Sequence, residues 1–287
     1  MTNEIIGVIG GSGLYEMEGM TDVQQIMVDT PFGRPSDEYV TGTLDGVRMI
    51  FLPRHGKGHR FTPSEVNYRA NIYGMKKLGA SRVISVSAVG SLREEIAPGH
   101  IVVPDQFIDR TRGFRKDSFF GNGVVGHVQF ADPVCADLSA TLFEAAQEAG
   151  ATVHRGGSYV CMEGPAFSTR AESHLYRSFG ASIIGMTNLT EAKLAREAEL
   201  CYGVIALSTD YDCWHESHDD VSVDAIIAII KSNVAMAKKI IRGAVAKLSQ
   251  EKGCACSEAL KYAIISDTSV IPVETRENLE LIIGKYL

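Results

Sequence analysis

"VIGGSGLY", residues 8–15, joins a short apolar run (Ile5, Ile6, Val8, Ile9) to a turn with glycines at 10, 11 and 13. The β-branched run predicts a buried strand over 5–9. The glycines allow backbone N–H groups to face outward, a geometry that collects an anion. Two common nucleotide loops do not fit. A dinucleotide fingerprint needs a third glycine, and the position three beyond Gly13 is Glu16. A triphosphate loop needs Gly-Lys followed by Ser or Thr, and Gly56-Lys57 is followed by Gly58. What remains is a glycine turn with one hydroxyl, Ser12, which suits a small anion such as phosphate and serves equally as a plain strand end.

Downstream, short Val- and Ile-rich runs alternate with helical stretches, which is the α/β pattern. Strands are predicted at 5–9, 47–52, 82–87, 101–103, 158–162, 182–186 and 203–209, and helices at 64–78, 133–149, 169–179, 190–198 and 221–248. Ser64 reads as the cap of the first helix and Ser168 as a cap for the helix that Thr169 begins. Asp45-Gly46 separates Tyr39–Leu44 from Val47–Leu52, the strongest hairpin signal in the chain. The expected fold is therefore α/β, a single domain with a central mixed β-sheet flanked by helices. Residues 1–287 are taken as one domain, with a C-terminal helical segment from about 221 to 287, since no linker or charge block divides the chain.

A formal net charge of −7 and a pI near 5.6 exclude a general nucleic-acid or anionic-membrane surface. The first residues lack the features of a signal peptide, and no 18-residue uncharged apolar stretch exists. A soluble cytoplasmic protein with no nucleic-acid and no membrane partner is expected. The six cysteines (135, 161, 201, 213, 254, 256) lack the density of a secreted scaffold. Cys254-Ala255-Cys256 fits a redox or metal pair, but with no partner C-x-x-C in the chain it reads as an incidental surface pair. Histidines 127, 154, 174, 215 and 218 show no metal-ligand spacing, so no metal is expected.

Polar clusters follow the predicted strands, and in an α/β sheet such clusters converge on one crevice. "LPRHGKGHR", 52–60, places Arg54 and His55 at a strand exit, where an arginine fork suits phosphate. "SVSAVGS", 85–91, lets Ser87 and Ala88 present backbone N–H groups to a close ligand. "CMEGPAFSTRAE", 161–172, offers Phe167 as a platform for a planar ring and Glu163 as an acceptor for a sugar diol. "VIALSTDYDCW", 204–214, delivers Asp210 and Asp212 two apart, on one side if the extended backbone persists. Paired acids fit a metal site, glycoside hydrolysis, or recognition of a nitrogen heterocycle.

Taken together, "IGVIGGSGLY", "DTPFGRPSD", "LPRHGKGH", "NYRANIYGMK", "GSLREEIAPGHIVVPDQFIDRT", "EGPAFSTRAES", "GMTNLTEAKLAREAELCY" and "STDYDCWHE" resemble the 5′-methylthioadenosine phosphorylases of the trimeric purine nucleoside phosphorylase class. The resemblance spans roughly residues 5–245. It implies a phosphate site of Ser12, Arg54, His55, Ser87, Ala88 and Thr187, with inorganic phosphate as co-substrate and no cofactor. Met186 would meet the ribose and Phe167 the base, while Asp210 and Asp212 would read adenine at N6 and N7. His59, the His127 of a neighbouring subunit, Val223 and Ile226 would surround the 5′ substituent. The implied catalytic set is Asp210, Asp212, Ser12 and His55, and the implied assembly a homotrimer or a hexamer of paired trimers. Relatives that cleave 6-oxopurines carry asparagine where Asp210 stands, so a 6-aminopurine is expected. The alternative is a methylthioinosine or 6-oxopurine phosphorylase, and a hydrolase with the same base pocket would not need Arg54 beneath the sugar.

Overall fold

The computed structural model describes residues 4–11, 13–14, 16–215, 223–248 and 253–287, the backbone alone at 223–228 and 230–232. In chain order, the first half runs β1 (Ile5–Gly10), β2 (Thr21–Ile26), β3 (Tyr39–Leu44), β4 (Val47–Pro53), α1 (Tyr68–Lys77), β5 (Arg82–Ser91), β6 (Ile101–Val103) and β7 (Gln106–Arg110). The second half runs α2 (Ala136–Glu148), β8 (Val153–Arg155), β9 (Ser158–Met162), α3 (Arg170–Ser178), β10 (Ile183–Gly185), α4 (Asn188–Glu197), β11 (Cys201–Asp210), α5 (Val223–Leu248) and α6 (Val273–Ile283). The expected mixed sheet is present. It has eleven strands, ordered β2-β3-β4-β1-β5-β10-β9-β7, with β11 also on β5 and leading through β6 to β8.

β5 organises this sheet. β1 lies parallel to it through Ser85, and β10 takes up the same edge antiparallel only from Gly90. Residues 86–89 therefore keep an open edge on that side, while β11 pairs along the other. Neighbouring residues of β5 point to opposite faces, so Val83 joins a core with Ile72 and Leu194 while Ile84 joins one with Leu138 and Ile241. The sheet is consequently covered by α1 and α4 on one face and by α2 and α5 on the other, and its polar crevice is left at the strand ends.

Several local expectations are corrected. α1 starts at Tyr68 rather than near 64, because Asn67, not Ser64, accepts the Ala70 N–H as its cap. Ser64 instead donates to Glu163. α3 is capped by Thr169 in a reciprocal box with Glu172, so Ser168 is not the cap. β2, β7 and β8 were not expected. β2 is almost wholly exposed and polar (TDVQQI), and pairing with β3 rather than burial makes it a strand.

The end of α4 supplies a pH-sensitive lock. Burial drives Glu197 up to about 7, although the Phe119 N–H and Ser118 hydroxyl donate to it and oppose the rise. An unfolded glutamate loses its proton near 4.5, so this group's contribution is fully present below that pH and is lost as pH rises through about 7. Relative to the parent, Glu197→Gln should therefore gain roughly 3 kcal/mol of stability across that window. Urea unfolding at a series of pH values checks this, and a pH-independent difference would remove Glu197 from the account.

Candidate active site

Strand register brings the predicted clusters together. Gly10 at the end of β1 lies opposite Pro53 at the end of β4, and the Arg54 N–H donates to the Gly10 carbonyl at 2.9 Å. The glycine turn and the Arg54-His55 pair are thus adjacent strand exits. On the far side of β5, Ala88 faces Leu207 and Gly90 faces Asp210. From the third direction, β10 runs back along β5 and carries Met186 and Thr187 beside the open stretch. This divergence of strands around one edge is the crevice where open α/β sheets bind ligands.

Arg54 is the most constrained group in it. Its guanidinium is buried, with Nε and Nη2 paired to Glu191, Nη2 also on Ser85 Oγ at 2.5 Å, and Nη1 on the Val86 carbonyl at 3.0 Å. Burial alone would lower its pKa, but the Glu191 carboxylate more than offsets that and keeps the cation. Glu191 in turn accepts from Ser85 and from the Tyr202 hydroxyl, both within 2.8 Å. Among the described residues, Nη1 donates only to Val86, which leaves one N–H of that nitrogen for a ligand.

The neighbours are also pre-positioned. Ser87 donates to Asn188 Oδ1 at 2.7 Å, and Asn188 donates to Ser85 and to Tyr202. Ala88 is exposed at the open edge of β5. Thr187 stands at the N-terminus of α4 with no side-chain capping bond, so its hydroxyl is not used to close the helix. His55 bonds the Phe61 carbonyl through Nδ1 at 2.8 Å and stacks on His59 with ring centres 4.3 Å apart. Burial first, then the Arg54 charge, depresses His55 to about 4, so it is neutral at pH 7. Because the Phe61 carbonyl takes the Nδ1 proton, the neutral ring leaves Nε2 as an acceptor, suited to a protonated phosphate oxygen.

The base end is built by β9, β10 and β11. Gly164 has φ +69°, and a Cβ there would strike Met186, so glycine permits the close approach of these two loops. Arg115 ties them through the carbonyls of Met186 and Glu163 and pairs with the Glu163 carboxylate at 2.9 Å. Burial would raise the Glu163 pKa, but donation from Arg112 N–H, Ser64 and Arg115 brings it below the usual carboxylate value. These three donors make Glu163 a tie that holds the loop together. Phe167 is half exposed on the same loop, as a platform requires.

Asp210 and Asp212 are both here, but not on one face of a strand. β11 ends at Asp210, and Asp212 has φ +52° in the following turn, so the extended backbone does not persist. The turn forms because Asp210 Oδ1 accepts the Asp212 N–H at 2.7 Å, while Thr209 donates to Oδ2 at 2.7 Å. Gly90 makes room for this carboxylate, since a Cβ there would lie 3.0 Å from Asp210 Oδ1. Burial raises both aspartates above the ordinary carboxylate value, and for Asp210 the neighbouring Asp212 charge adds to the rise. Asp212 Oδ2 is buried and makes no hydrogen bond of good geometry. The Ser173 and Ser168 hydroxyls stand near enough to this carboxyl to offset part of the rise that burial causes.

Other predicted residues fall further out or beyond view. Ser12 lies outside the described residues, as does His218; Val223 and Ile226 lie on α5, where only the backbone is described. His127 is exposed, and its N–H bonds the Ala263 carbonyl, so within one chain it belongs to the C-terminal segment rather than the crevice. Sequence reasoning missed Ser85, Arg115, Asn188, Glu191 and Tyr202. The only local signal was Asn188 and Glu191 three apart on a helix otherwise lined inward by Leu189, Ala192 and Ala195.

A buried arginine with one N–H left for a ligand, beside two buried aspartates of raised pKa, suits a nucleoside phosphorylase, and the chain belongs to the phosphorylase superfamily, whose sequence pattern it matches over residues 5–246. It is 77% identical over 284 residues to S-methyl-5′-thioadenosine phosphorylase of Geobacter sulfurreducens, with 99% of both chains covered. The same enzyme of Koribacter versatilis is 57% identical, covering 98% of this chain and 96% of its own. Among solved structures, a methylthioadenosine phosphorylase from an antarctic soil metagenomic library superposes with a TM-score of 0.93 at 47% identity, covering 98% and 99% of the two chains. The Schistosoma mansoni methylthioadenosine phosphorylase in complex with adenine gives 0.84 at 38% identity, covering 90% and 96%.

Proposed function

We propose that the protein catalyses phosphorolysis of 5′-methylthioadenosine to adenine and 5-methylthioribose 1-phosphate, with inorganic phosphate as nucleophile and inversion at C1′. The carrying observation is the pair of buried Asp210 and Asp212 carboxyls, both raised above the ordinary carboxylate value, at the crevice that also holds Arg54. Their carboxylates match the N6 amine and N7 edge of a 6-aminopurine and would repel a 6-oxo group. Relatives named as methylthioadenosine phosphorylases, one seen with adenine, support the same choice.

As the glycosidic bond breaks, C1′ acquires oxocarbenium character and negative charge grows in the purine. Phosphate held by Arg54 Nη1, His55, Ser12, Ser87, Thr187 and the Ala88 N–H lies under the sugar and supplies proximity and charge stabilisation together. Asp210 places a proton at N7, so the base leaves neutral. Met186 packs on the ribose and Phe167 on the base. Val223, Ile226 and His59, with His127 from a neighbouring subunit, enclose the 5′ group, which makes the working unit a trimer or a hexamer of paired trimers. A cytoplasmic enzyme of purine and methionine salvage accords with the described residues, none of whose helices is long and apolar enough to cross a membrane.

Adenine release is measured from methylthioadenosine, adenosine and methylthioinosine, each with and without phosphate. Phosphate-dependent release, with methylthioadenosine ahead of adenosine by about 10–100-fold in kcat/KM, is expected, because a 5′-hydroxyl in an apolar pocket loses its water without a partner. Equal kcat/KM for adenosine overturns the 5′ specificity, hypoxanthine release overturns the base assignment, and phosphate-independent turnover makes the protein a hydrolase.

A further inference from the structure

Far from the crevice, at the opposite end of β11, four cysteines from three parts of the chain meet. Cys135 precedes α2, Cys201 opens β11, and Cys254 and Cys256 follow α5. Their four sulfurs all lie within 4.8 Å of one another, and Cys201 Sγ and Cys254 Sγ are 3.3 Å apart. We propose that Cys135, Cys201, Cys254 and Cys256 form a closed tetrathiolate site for a structural zinc-class divalent cation.

The separations suit that chemistry. Four thiolates at about 2.3 Å from a central ion have sulfur–sulfur edges of about 3.8 Å, so modest side-chain adjustment closes the tetrahedron. Cys135 and Cys201 are buried and Cys254 and Cys256 half-buried against the apolar core of α2 and α5, leaving no open coordination position for water chemistry. The Leu138 N–H in the first turn of α2 also bonds the Cys135 sulfur. Such an N–H to a ligating sulfur is the usual outer support of a thiolate metal site. Binding breaks four S–H bonds and forms four metal–sulfur bonds, with four protons released and no electron transferred.

The consequence is a clamp on the C-terminal segment. Beyond Cys256, Leu260 N–H and the Tyr286 hydroxyl both donate to Glu199 Oε1, next to Cys201. The same segment pairs with the 124–127 loop through the Gly126–Ile264 bridge and the His127 N–H on Ala263. A cation at the cysteines fixes the start of the segment that holds the His127 loop. In sequence, Cys254 and Cys256 lack a second pair. The fold brings it from 119 and 53 residues away.

The test is titration of the full-length, fully reduced protein with Zn²⁺ and, in parallel, with Co²⁺ as an optical probe. One equivalent per chain is expected, with the near-ultraviolet charge transfer and intense visible bands of tetrahedral cobalt tetrathiolate, lost in Cys254→Ser and Cys256→Ser. Absence of a stoichiometric ion in the reduced wild-type chain overturns the proposal. So does cobalt binding without thiolate bands, or bands unchanged in both variants. Because the wild-type spectrum alone decides ligand type, the test survives if a variant fails to fold. Disulfides found in the isolated protein overturn the site if the reduced chain still takes no cobalt.

Discussion

Asp210→Ala should lower kcat by about 10²–10⁴-fold while leaving the KM for phosphate nearly unchanged. The asymmetry follows from the geometry: Asp210 ends β11 beside Gly90, whereas the Arg54 cage is held by Glu191, Ser85 and Val86 without it. Alanine removes the proposed proton donor for N7 and also the acceptor that closes the Asp212 turn. Asp210→Asn separates these effects, because its amide oxygen still accepts the Asp212 N–H while the carboxyl proton is gone. That variant should stay folded, lose activity on methylthioadenosine, and shift its relative preference toward 6-oxopurine nucleosides. Since burial raises the Asp210 pKa, the parent enzyme should also keep activity to higher pH than an ordinary aspartate would allow a proton donor. Equal losses of kcat and phosphate affinity in both variants would assign Asp210 a structural role only.

Arg54→Met should abolish phosphorolysis and destabilise the fold by about 3–5 kcal/mol, because it leaves the Glu191 carboxylate buried without its cation. Glu191→Leu should be similarly destabilising, since the buried guanidinium then loses its counter-charge. The double variant, Arg54→Met with Glu191→Leu, should recover most of the stability and none of the activity. Two buried charges replaced together by apolar groups of similar volume need not cost stability, whereas phosphate still lacks its cation. Chemical unfolding alongside phosphate-dependent adenine release distinguishes the two properties. A stable single Arg54→Met variant would show that water reaches Glu191 and that the pair is not a structural element. Retained phosphorolysis in the double variant would move the phosphate site away from Arg54.

Much of this was legible along the chain. Buried strands β1, β4, β5, β9 and β11 declared themselves as short β-branched runs, and the Asp45-Gly46 hairpin came with its own turn residues. The candidate residues Arg54, His55 and Asp210 stood out because each lies at the end of such a run, whereas Ser87 and Ala88 fall inside β5 and were marked only by their small side chains. These are local signals: a period of two, a turn dipeptide, a charged residue at the end of an apolar stretch.

What the tertiary structure decided involves separation in sequence. Glu191 meets Arg54 across 137 positions, and Cys254 and Cys256 meet Cys135 and Cys201, which no local spacing announces. Asp212 turned out of the strand because its N–H found the Asp210 carboxylate, a competition between side chain and ladder that alternation ignores. β2 became a strand only because β3 offered it an edge. Residue patterning reports which face of its own element a side chain occupies. Which charge or sulfur waits on the opposite face depends on how strands are ordered around β5, and that is settled by packing the whole chain.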